Sequence, residues 1–175
     1  MAKYPNFGIL DELEKMLHGT STREALREPL FGRVKDLYGM NRVEYSQRMY
    51  DLRRGGYITY SAKNDIKLTD SGKRKLDFKR LERLQWNSKS RDRYYRLIMF
   101  DIPEERRVVR DILRQKLREF ECYQIQKSVY LTPYACEHIM GELIRLLNIR
   151  RHVHVMKIAD LGHDQPRIAK RFKFG

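Results

Sequence analysis

In the first half of the chain the apolar positions keep helical spacing. Ile9, Leu10, Leu13 and Leu17 share one face of a first helix that Gly19 ends. Pro29 stands where a second helix can begin, and Val34, Leu37 and Tyr38 follow on one side before Gly39 stops it. A third helix is expected over residues 43–54, closed by Gly55 and Gly56. Residues 57–60 and 66–68 then read as two short strands around a polar turn. Thr69, Asp70, Ser71 and Gly72 open a long charged helix carrying Leu76, Leu81 and Leu84. Helix, turn, helix, two-stranded wing and helix is the order of a winged helix-turn-helix.

From Tyr94 the pattern changes. Residues 95–100 read as a strand, and Pro103 followed by Glu104 and Glu105 marks a helix start. That helix runs to about Phe120, with Val109, Ile112, Leu113, Leu117 and Phe120 turned to a core. Residues 122–132 are strand-forming, either as one bent strand or as a tight hairpin broken near Gln126 and Lys127. A second helix is expected over residues 135–147, a strand over 152–158, and an edge strand over 167–174. Strand, helix, two strands, helix, strand is the ferredoxin-like order. The fold class is therefore α+β. A winged helix domain with a long exit helix is expected over residues 1–87, and a ferredoxin-like domain over 94–175. The polar stretch 87–93 joins them.

Charge narrows the partner. Lys and Arg number 37 against 23 Asp and Glu, a net charge of +14, so the partner is polyanionic. Residues 29–93 hold 17 basic and 8 acidic side chains and are the most electropositive third. No signal peptide and no apolar run of membrane-spanning length is present, so nucleic acid leads over an acidic membrane. Cys122 and Cys136 are isolated and read as reduced, partly buried thiols of a cytoplasmic protein. His152 and His154 share one face of a strand, with no thiol or carboxylate pattern to complete a metal site. No cofactor is required.

Candidate DNA-binding residues lie on the third helix. Tyr45, Met49 and Leu52 fall at i, i+4 and i+7 and turn that edge inward. The opposite side carries Ser46, Gln47, Tyr50 and Arg54, with Arg42 where the helix begins, all side chains able to hydrogen-bond base edges or phosphates. Lys63, Asn64 and Lys67 of the wing are placed to reach the flanking backbone. Taken singly, such a helix is more often a solvated face. The wing and the basic excess together set this one above that reading, and the wing with the outward face from Ser46 to Arg54 favours duplex DNA over RNA. In the second domain Arg106, Arg110, Arg114 and Arg118 recur every four residues. They form either a phosphate-binding stripe or a soluble helix face.

Residues 94–132 carry Phe100-Asp101-Ile102-Pro103-Glu104 after the strand, and later Gln126-Lys127-Ser128-Val129-Tyr130. This stretch resembles the small endonuclease-like protein of CRISPR spacer acquisition, and more closely the central domain of PaaX-type repressors. Met49 to Ile58, Leu68-Thr69 and Gly72-Lys73 resemble the PaaX winged helix. The resemblance implies a transcription regulator that binds double-stranded DNA as a homodimer, joined through the ferredoxin-like domains. PaaX-type repressors continue into a C-terminal domain associated with acyl-CoA response. This chain stops soon after the ferredoxin-like unit, so the resemblance does not extend to such control. The alternative it implies is a metal-dependent endonuclease, or a catalytically idle DNA clamp. There Asp101 of two protomers would share a Mg2+ and activate water against a phosphodiester. Against that, Asp101 reads as a turn residue bonding backbone amides before Pro103.

Overall fold

Three helices, a hairpin and a fourth helix make up the first of two units into which the chain divides, Met1–Glu82 and Arg83–Gly175. The computed structural model describes residues 5–18, 27–62, 65–87 and 89–172. Helices α1 (Pro5–His18), α2 (Arg27–Tyr38) and α3 (Arg42–Arg54) meet around Ile9, Leu10, Leu13, Leu30, Val34, Met49 and Leu52, all buried. The hairpin of β1 (Ile58–Tyr60) and β2 (Ile66–Leu68) adds Ile58 and Ile66, and α4 (Asp70–Arg83) adds Leu76. Burying so many aliphatic side chains in one cluster is what holds short helices that would not persist alone.

Local chemistry sets the boundaries. Asn41 accepts the Glu44 N–H at 2.9 Å and caps α3, while Gly39 and Gly56 take positive φ at the ends of α2 and α3. The hairpin pairs Ile58 with Leu68 and Tyr60 with Ile66. Its root is fixed by Thr69, whose hydroxyl donates to the Gly56 carbonyl at 2.6 Å and accepts the Gly72 N–H at 3.0 Å. Leu37 departs from expectation: it is 61% exposed, although Val34 one turn earlier is fully buried. The last turn of α2 is filled instead by Tyr38, whose ring lies so close over Gly8 that a Cβ there would come within 2.7 Å.

The second unit is α+β. Its elements are β3 (Arg91–Phe100), α5 (Arg107–Glu119), β4 (Tyr123–Gln126), β5 (Val129–Tyr134), α6 (Glu137–Leu147), β6 (Val153–Ile158) and α7 (Gln165–Arg171). The strands form one antiparallel sheet in the order β4-β5-β3-β6. Arg96, Ile98 and Phe100 of β3 point to the face that carries α5 and α6. Arg114 of α5 lies over the Phe100 ring, and Arg96 donates to Glu137 of α6. On the other face Ile168 of α7 packs on Tyr95 and Leu131. Farther along that face Leu97, Met99 and Val129 are half-buried, and Met156 is 44% exposed.

Three further expectations change, and of the two arrangements open to residues 122–132 one forms. Strand β3 begins at Arg91, inside the stretch expected to be a linker, and Ala135 donates to the Ser90 carbonyl at 2.9 Å. Residues 91–94 are exposed, so this end of the strand has no apolar alternation to reveal it. Residues 122–132 form the hairpin rather than one bent strand, turning at Lys127 and Ser128. His152 belongs to a short 3-10 turn ahead of β6. Residues 167–172, expected as an edge strand, lie in α7 and the turn that follows it, while 173–174 lie outside the described residues. Pro166 suits the first turn of α7, and Ile168 and Phe172 meet the core at helical spacing.

Candidate nucleic-acid interface

Helix α3 has two sharply different sides. Tyr45, Met49 and Leu52 are buried, as their spacing requires. Diametrically opposite, Val43, Gln47, Tyr50 and Arg54 follow at i, i+4, i+7 and i+11, and all four are exposed. Arg42, Ser46 and Arg53 flank this line on the hairpin side. With Tyr45, Met49, Tyr50 and Tyr60 they line a recess of about 300 Å³. The Arg42 guanidinium lies 4.5 Å from the centre of the Phe31 ring, and that of Arg53 lies 5.1 Å from the Tyr60 ring. A guanidinium stacked on a ring is held in a fixed orientation by it. The opposite flank carries Glu44 and Asp51, and Gln47 Nε2 donates to Asp51 Oδ1 at 3.4 Å. Positive charge is thus concentrated on the side facing the hairpin.

Arg42, Ser46, Gln47, Tyr50 and Arg54 therefore occupy one surface, as their spacing predicts. Lys67 sits on β2 opposite Thr59, and Lys63 and Asn64 lie outside the described residues. Arg53 and Tyr60 also belong to this surface, although sequence reasoning did not select them. A helical projection puts Arg53 beside Ser46, but only the hairpin's position brings the Tyr60 ring under it.

The arginines of the second unit are used differently. Arg106 lies in a 3-10 turn before α5 and donates to the carbonyls of Asn148 at 2.9 Å and Leu147 at 3.0 Å. Arg110 pairs with Glu104 at 2.8 Å, and Arg114 donates to the Lys127 carbonyl at 3.1 and 3.2 Å. Arg118 is exposed in the last turn of α5. Three of the four are thus committed to acceptors within their own unit. Carbonyls left over at a helix end or a turn are strong local partners for a guanidinium.

Asp101 is exposed at the end of β3, and its N–H donates to the His152 carbonyl at 2.9 Å. Among the described residues its carboxylate accepts no amide hydrogen bond of the kind the turn reading expects. Glu104 is held by Arg110, and no group of three or more His, Cys, Asp or Glu among the described residues is arranged to hold a metal. Within one copy Asp101 supplies a single exposed carboxylate, so a magnesium site there would need ligands from a second copy. Burial pushes the thiols of Cys122 and Cys136 up to about 12, which leaves them unreactive at neutral pH.

The chain therefore combines a helical unit presenting a cationic, aromatic surface beside a hairpin with an α+β unit in which Arg106 and Arg114 serve carbonyls of their own backbone. Residues 88–169, within the second unit, match the family model described as the PaaX protein central Cas2-like domain. The match begins beyond Gly72-Lys73, so the likeness of the first unit to the PaaX winged helix rests on that unit's own residues. No curated protein and no solved structure matches the chain. None of the described helices is long and apolar enough to cross a membrane.

Proposed function

We propose that this protein is a PaaX-type transcription regulator that binds double-stranded DNA through α3 and the β1–β2 hairpin. On this reading the first unit is a winged helix-turn-helix. The second is a ferredoxin-like platform through which two copies associate. The observation that carries the reading is the outward surface of α3, where Gln47, Tyr50 and Arg54 stand clear of the core with Arg42 and Arg53 beside the hairpin. A helix fits the major groove, its amide and guanidinium groups match base edges, and cations on one flank suit a phosphate strand. The family model that residues 88–169 match supports the regulatory role. The apolar side chains on its sheet face, ending at Met156, support self-association.

Fluorescence anisotropy with labelled duplex, single-stranded DNA and RNA tests the proposal. Duplex should bind best, with log K falling linearly as log salt rises. Gln47→Ala and Arg54→Ala should each weaken duplex binding by roughly tenfold. Unchanged duplex affinity in both variants would remove α3 as the reader. Sedimentation equilibrium should return a dimer, and a monomer at every concentration tested would remove the platform role.

A further inference from the structure

Val43 is 80% exposed, the second residue of α3, and in line with Gln47, Tyr50 and Arg54. A single exposed valine needs no explanation in itself. This one lies in the first helical turn, whose geometry is fixed by the Asn41 cap on the Glu44 N–H. Every other member of its line is a hydrogen-bonding residue. The N-terminal residues of a helix seated in the major groove are the ones that meet base edges. The edges there offer donors and acceptors and one apolar feature, the C5 methyl of thymine. A β-branched side chain presents two methyls on a stiff χ1, which suits it to cover such a group without loss of rotamer freedom.

We propose that Val43 is a specificity-determining residue that packs on the C5 methyl of a thymine in the bound duplex. The inference rests on the duplex-binding reading above. It adds a chemical preference that the polar residues of α3 do not supply. Gln47 and Arg54 select by hydrogen bonding, whereas Val43 selects by excluding water from a methyl group. The two kinds of contact are lost by different changes to the DNA.

The test starts from a duplex selected by the full-length protein from random DNA. Each thymine is replaced in turn by deoxyuridine, which removes the methyl and leaves pairing intact. Affinities are measured for the native protein, Val43→Ala and Val43→Thr. One thymine in each half-site should show a loss of roughly fourfold on replacement with the native protein. Val43→Ala should lose about as much on the thymine duplex, and replacement should then cost it nothing further. Val43→Thr, with one methyl exchanged for a hydroxyl, should fall between. All three proteins should melt at closely similar temperatures, because Val43 contributes little to the core.

Two failures are distinguishable. Tight duplex binding with no sensitive thymine, or with equal losses in native protein and Val43→Ala, overturns the assignment of Val43 alone. Selection that recovers no duplex, with no salt-sensitive binding, overturns the DNA-binding reading and the Val43 assignment together.

Discussion

The guanidinium of Arg106 donates to the carbonyl of Asn148, the residue that leaves α6 in the left-handed conformation with φ of 51°. With its second bond to Leu147, Arg106 satisfies two acceptors at the end of α6 and places a cation where the helix dipole is negative. Arg106→Met should therefore lower stability by about 1–2 kcal/mol in urea titrations. It should leave the salt dependence of duplex binding unchanged. A shallower salt slope without loss of stability would return this arginine to the phosphate-binding role that its spacing suggests.

Gly72 is required where α4 meets the hairpin. A Cβ there would stand 2.2 Å from the Tyr57 carbonyl oxygen and 2.7 Å from Leu68 Cδ1. A side-chain tip can rotate away, but the carbonyl is part of the hairpin root. Gly72→Ala should cost on the order of 3 kcal/mol. Gly141 supplies the control, since nothing lies within 4 Å of a Cβ built there in the exposed middle of α6. Gly141→Ala should stabilise by about 0.5–1 kcal/mol. Thermal melts of the two variants should shift in opposite directions.

Acid should weaken the second unit through one ion cluster. Arg96 is almost wholly buried and donates to Asp92 and Glu137, while Lys157 approaches Asp92 at 3.2 Å. The hydrogen bonds from Arg96 hold the Asp92 carboxyl well below the usual carboxylate range. A depressed folded-state pKa gives stability that is present above the unfolded value. That stability is lost as pH falls from about 4 toward the folded value. Arg96→Met leaves both carboxylates able to hydrate, because neither is buried. Its stability should fall less steeply than that of the native protein between about pH 5 and pH 3. Equal slopes in denaturation series across that range would show that the cluster does not set the acid limb.

Much of the element order is legible because burial leaves a period. The spacing of Tyr45, Met49 and Leu52 gives both faces of α3 before any coordinates are seen. What is illegible is partnership. Four arginines at every fourth residue look like one free stripe, yet the acceptors of Arg106 and Arg114 come from distant turns at Asn148 and Lys127. Periodicity gives the direction of a side chain and is silent about what meets it there. The Arg53–Tyr60 stack is hidden for the same reason. The polar start of β3 fails differently, since an exposed strand end paired only through its backbone has no burial pattern. Helix α7 reads as a strand in an alternating basic and apolar stretch until Ile168 and Phe172 are seen to share one side.

The Thr69 hydroxyl has a further consequence for how the first unit breathes. Strands of three residues are too short to persist by themselves. One oxygen joins the loop leaving α3, at Gly56, to the first turn of α4, at Gly72, while the Thr69 N–H bonds the Tyr57 carbonyl at 3.1 Å. Releasing the hairpin root therefore exposes an acceptor beside one helix and a donor at the start of another. The hairpin base and the two helix ends should therefore open as one cooperative unit, and hydrogen exchange should find their amides exchanging together rather than in sequence.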